Sequence, residues 1–137
     1  GARSNNVLHN GPPTGSQDYG LKATPKEIGT VDTIAPLFTT SEVFVYKVLA
    51  KLPSGRLSGE YLLQAIGGAV TVMDPLDVVY FVIADAKDSF VFRGAASAKS
   101  SNTTIESDEF ALIATIVGLS DVNLLSDVNF GFVPPGV

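Results

Sequence analysis

The chain contains no cysteine and no tryptophan, and its single histidine, His9, lies in a polar stretch away from every apolar run. Without cysteine there are no disulfides, no thiolate zinc sites and no cysteine nucleophile, and nothing redox-active remains. A catalytic triad needs a base held beside a nucleophile, and the Asn, Gly and Pro residues around His9 offer nothing to fix a tautomer. His9 is therefore read as a solvated linker residue. Long hydrophobic runs are missing as well: the longest, Val78 to Ala84, is far too short to span a bilayer, so a soluble chain is expected. The N-terminus lacks the basic-then-apolar order of a secretion signal, and its initial glycine suggests a trimmed fragment. Cations are unevenly scarce: none follows Lys99, whereas Glu106, Asp108, Glu109, Asp121 and Asp127 do, and the net charge is −5. A surface of that sign repels phosphate backbones, so nucleic-acid binding through this domain is not expected. The ordinary role of such acids is solubility.

What is present is strand-forming material. The 137 residues are 45% hydrophobic with a mean hydropathy of +0.28, which fits one domain with a real core and argues against disorder. From Val43 onward the runs EVFVYKVLAKL, AVTVM, VVYFVIA, SFVFR, FALIATIV and VNFGFV follow one another, separated by Pro, Gly, Asp and Ser. Residues 1–30 hold only scattered apolar groups, among them Val7, Leu8 and Tyr19, and read as a leader or linker that can extend along the domain. Residues 31–137 read as a single β domain. Around Pro36 the apolar residues Ile34, Leu37 and Phe38 suggest an edge strand, because proline cannot donate to a central ladder.

Period-2 alternation places Lys47 and Lys51 on one face of the first long strand, with Phe44, Tyr46, Val48 and Leu52 on the other, so one face is core and the other turns polar. Pro53-Ser54-Gly55-Arg56 signals a hairpin or tight reversal. In 58–67 a helix competes with a strand: Tyr61, Leu62, Ala65 and Ile66 have helical spacing, Ser58 suits an N-cap and Gly67 suits the left-handed end. VVYFVIA is apolar on both faces and marks a strand in the middle of a sheet. Phe90 and Phe92 share a face opposite Ser89, Val91 and Arg93. Residues 94–104 are small and polar, a surface loop. Across 107–118 a helix capped by Ser107-Asp108-Glu109 is the alternative, but β-branched Ile113, Thr115, Ile116 and Val117 favour a strand. Ser120-Asp121-Val122-Asn123 recurs as Ser126-Asp127-Val128-Asn129, read as two Asx-type turns. The fold class expected is all-β: an antiparallel β-sandwich or partly open, jelly-roll-like barrel, with one short helix at 58–67 or 107–118.

No catalytic residues are assigned. Asp74 with Asp77 and Asp85 with Asp88 are carboxylate pairs of the kind that hydrolyses glycosides, yet both fall at turns, where Asp bonds its own backbone. The oxygen donors Asp74, Asp77, Asp121, Asn123, Asp127 and Asn129 lie near strand ends and are candidate calcium ligands, although no Asp-x-Asp-x-Asp-Gly loop is present. No cofactor is assigned, and Gly67-Gly68 lacks the lysine and spacing of a phosphate loop. Asn102-Thr103-Thr104 matches a glycosylation acceptor, which matters only in a secretory pathway.

The hinge-like stretch Asn10-Gly11-Pro12-Pro13-Thr14-Gly15 followed by the strand series 43–133 resembles the protruding domain of small icosahedral RNA-virus coat proteins of the tombusvirus-like kind. The resemblance is architectural and carries over no site residues. It implies a structural module on the virion surface that forms homodimers, excised from a basic arm and shell strands. The alternative is a carbohydrate- or other ligand-binding β-sandwich, calcium-dependent or not, meeting a glycan or host surface through Tyr19, Tyr46, Tyr61 or Tyr80. An enzyme is the reading least supported.

Overall fold

A computed structural model of the chain describes residues 6–10, 27–31, 37–38, 43–75, 77–96, 103–125 and 129. In chain order these form β1 (Asn6–Asn10), β2 (Glu27–Val31), β3 (Leu37–Phe38), β4 (Val43–Val48), α1 (Gly59–Ile66), β5 (Val70–Thr71), β6 (Val78–Ala84), β7 (Ser89–Ala95), β8 (Thr104–Ile105) and β9 (Phe110–Val117), with 3-10 turns at Ser107–Glu109 and Val122–Leu124. A six-stranded sheet runs β1-β9-β7-β6-β4-β2, and a small three-stranded sheet runs β3-β5-β8. The fold is all-β and sandwich-like, and it is not a closed barrel.

The large sheet is mixed where antiparallel pairing was expected. β6–β7 and β7–β9 are antiparallel, but β1–β9, β2–β4 and β4–β6 are parallel. A parallel pair needs a crossover, and α1 lies in the connection between β4 and β6. The Pro53–Arg56 turn therefore leads into a helix and not into a hairpin. Its Arg56 amide donates to the Pro53 carbonyl at 3.0 Å, with Gly55 at φ +77°. The segment read as a leader supplies both outer strands of the large sheet, with residues 1–5 and 11–26 outside the described residues. Leu37 and Phe38 form an edge strand of the small sheet as expected, while Ile34 and Pro36 fall outside the described residues.

α1 settles the ambiguity at 58–67. Leu62 and Ile66 turn inward, the Leu62 amide donates to the Ser58 carbonyl at 3.1 Å, and Gly67 closes the helix at φ +103° with its amide on the Leu63 carbonyl at 2.8 Å. Ser58 is the N-cap by position but contributes no side-chain bond to the cap. Across 107–118 the strand wins, preceded by one 3-10 turn.

Both faces of the large sheet are apolar. On one, Tyr46, Val48, Phe81, Ile83, Phe90 and Phe92 pack with Leu62 and Ile66 of α1 and with Val70 and Ile105 of the small sheet. On the other, Val45, Val82, Ala84 and Val91 meet Leu119, Val122 and Leu125. The second face of β4 was expected to turn polar, and the 119–125 segment covers it instead. The two lysines do share that face: Lys47 Nζ donates to the Leu125 carbonyl at 3.0 Å and Lys51 Nζ to the Ser120 carbonyl at 2.7 Å. β6 lies between β4 and β7 and is buried on both sides, as its unbroken apolar run predicted.

β9 reaches both cores through an irregularity. Phe92 pairs with Leu112 and Val91 with Ala114, leaving Ile113 as an extra residue. A bulge of one residue reverses the inward-outward phase. Phe110 and Leu112 accordingly pack in the first cluster, whereas Ala114 and Ile116 pack in the second. The expected loop at 94–104 is also shorter than read: Gly94 and Ala95 finish β7 and Thr104 begins β8, with 97–102, including Asn102, outside the described residues. Gly94 is opposite Phe110, whose ring lies where a Cβ would sit, with Cε1 2.6 Å from that point.

Candidate functional site

Of the carboxylates singled out in the sequence, those of Asp77, Asp85, Asp88 and Asp121 accept from backbone amides. The Asp77 amide donates to the Asp74 carbonyl at 2.9 Å, and the Asp74 amide donates to Asp77 Oδ2 at 3.0 Å, closing that loop on itself. Asp85 is buried, and its Oδ1 accepts from the amides of Lys87 and Asp88, both at 2.8 Å. Asp88 Oδ1 accepts from the Gly118 amide at 2.8 Å, tying the β6–β7 turn to the end of β9. Asp121 Oδ1 accepts from the Asn123 amide at 3.0 Å, the Asx turn expected for the first SDVN copy. Asp127 lies outside the described residues, and Asn129 is buried. Among the described residues no group of three or more His, Asp or Glu side chains is placed to hold a metal ion. His9 lies on β1 with its backbone in register with Ile116.

The tyrosines form no exposed platform among the described residues. Tyr46 is buried and stacks on Phe81 with ring centroids 5.7 Å apart, Tyr80 packs against the second cluster, and Tyr61 carries the Arg56 guanidinium 5.9 Å from its ring centroid. Tyr19 lies outside the described residues.

The concavity that the fold does build was not anticipated from sequence. A groove of about 690 Å³ opens between α1 and the Thr104–Ser107 segment. One wall is helical, with Glu60, Leu63 and Gln64, and continues through Gly67, Gly68 and Ala69. The other is Thr104, Ile105, Glu106 and Ser107. One close approach sets these walls against each other, and one capping box fixes the second wall. A Cβ at Gly59 would overlap the Ser107 carbonyl oxygen, so only glycine lets the helix start this close to the 3-10 turn. That turn is fixed by a reciprocal capping box: the Glu106 amide donates to Glu109 Oε1 at 2.8 Å while the Glu106 side chain accepts from the Glu109 amide.

The groove is electrostatically one-sided. Its two charged lining groups among the described residues, Glu60 and Glu106, are both acidic. The C-terminal end of α1, at Gly67, adds the negative pole of the helix dipole, and no basic residue lies in the last turn to offset it. The groove's lining contains no His, Lys or Arg among the described residues. No periodicity marks it in the sequence, because its walls come from segments about forty residues apart. No helix among the described residues is long and apolar enough to cross a membrane. Comparison of the chain with protein-family models, with curated proteins and with solved structures finds no match in any of the three.

Proposed function

We propose that this domain is a structural contact module that self-associates, in the manner of a projection on the surface of a small icosahedral capsid. The observation that supports the reading is the open six-stranded sheet. Its outer strands, β1 and β2, each pair on one side only among the described residues. An edge of that kind is a template for strand addition, which supplies main-chain hydrogen bonds without any catalytic side chain. The sheet faces are a weaker surface for association than sequence suggested, since α1 with the small sheet covers one and the 119–125 segment the other. The engagement of the Asp side chains in turns supports the same non-enzymatic reading.

Sedimentation analysis from micromolar to millimolar concentration tests it. The expected result is reversible dimer formation, with amide exchange at β1 or β2 slowing as the dimer forms. A monomer throughout that range overturns the reading. The capsid assignment is checked separately on the encoding reading frame, which on this reading carries a basic arm and shell-like strands upstream of residue 1.

A further inference from the structure

We propose that the groove between α1 and Thr104–Ser107 docks an extended peptide bearing lysine or arginine. This goes beyond self-association and does not depend on it, because the groove is built within one chain. Glu60 and Glu106 line the same space, the C-terminal pole of α1 lies at its Gly67 end with no basic residue to offset it, and no described lining residue is cationic. A lysine or arginine side chain entering there meets attraction from three sources.

The size favours a peptide over a compact ion. The groove opens to the surface, and its volume of about 690 Å³ falls within the range of small-ligand sites, roughly 300–1,000 Å³, far more than a single ion fills. Leu63, half-buried on α1, offers apolar contact, while Gly67 and Gly68 carry no side chain and leave their backbone open to approach. The Gly59 contact and the Glu106–Glu109 capping box hold the walls before anything binds, which limits the ordering cost of association.

Fluorescence anisotropy on the full chain, with a labelled Lys-Leu-Ala-Lys-Leu-Ala peptide and its Glu-for-Lys counterpart, tests the proposal. The basic peptide is expected to bind and to weaken as salt is raised, and the acidic one to stay free. Amide resonance shifts are expected at Gly67, Gly68, Ala69, Thr104, Ile105, Glu106 and Ser107. The double variant Glu60→Gln/Glu106→Gln should bind about tenfold more weakly, the scale of losing two partly screened charge contacts. Ala69→Lys, which places an ammonium at an exposed position on the groove, should do the same and keeps the test decisive if the double variant fails to fold. Equal binding of the two peptides, shifts confined to other segments, or unchanged affinity in a folded variant would each overturn the proposal. So would tighter binding of spermidine than of the peptide, which would make this an amine site.

Discussion

Ser89 and Leu119, thirty positions apart in the chain, are joined at 2.6 Å, the fully buried Ser89 hydroxyl donating to the Leu119 carbonyl. Beside them Asp88 accepts from the Gly118 amide. Together they fasten the β6–β7 turn to the corner where the chain leaves β9 and starts across the second face of the sheet. Replacing Ser89 by Ala leaves a buried carbonyl without its donor, which costs about 1–3 kcal/mol. Urea titration of Ser89→Ala should show a lower midpoint with an unchanged slope. A midpoint equal to that of the parent would mean that the latch contributes nothing.

Gly59 sets helix propensity against packing. At an exposed helix position Gly→Ala stabilises by about 1 kcal/mol, but here the new methyl meets the Ser107 carbonyl. Because that obstacle is backbone, the 3-10 turn must move, and overpacking of this kind typically costs about 1–3 kcal/mol. Gly59→Ala is therefore expected to lower the melting temperature, and an increase would show that the turn yields freely.

Gly94→Ala is the companion case with a softer obstacle. The atoms in the way belong to the Phe110 ring, which makes an edge contact with Phe81 at 5.8 Å between centroids. The substitution should destabilise, and the second change Phe110→Leu should recover part of the loss. Strict additivity of the two in a double-mutant cycle would show that the ring and the glycine are not coupled.

Lys47 and Lys51 hold the 119–125 segment through its carbonyls. Lys47→Met keeps the aliphatic stem of a half-buried side chain and removes the donor, so a loss of about 1 kcal/mol is expected. Faster amide exchange at Val122 and Leu125 should accompany it. Exchange that rises uniformly over the domain would instead indicate global destabilisation.

Calcium addition followed by chelation should leave the melting temperature unchanged. The Asp77 and Asp121 carboxylates are already held by backbone amides in their own turns. A calcium-dependent rise in calorimetry would contradict that expectation.

Local pattern carried a good part of this fold. VVYFVIA announced a central strand because both of its faces are apolar, and Gly67 announced a helix end because only glycine takes its φ without strain. Phe90 and Phe92 fell together on one face for the same period-2 reason. Strand direction was not legible: whether β4 meets β6 parallel or antiparallel depends on contacts far apart in sequence, which leave no mark on a short window. The phase change in β9 was hidden because FALIATIV is apolar at nearly every position, so an extra Ile113 disturbs no visible alternation. Lys47 and Lys51 could be placed on one face, but the carbonyls they reach could not be foreseen. The groove was invisible for a related reason. Glu60 and Glu106 each look like ordinary solvated acids until the fold sets them along one cleft.

The outer strand β1 has a further consequence, in the order of folding. Asn6 pairs with Ala114, so β1 finds its place in the sheet only after β9 has been made. Such a pairing must bear the loop-closure entropy of nearly the whole domain before it returns any stabilisation. The β6–β7 hairpin can form early from neighbouring residues, whereas β1 must wait for β9 to exist and dock. The domain should therefore fold on the slower timescale of non-local β topologies, with β1 among the last strands to join the sheet.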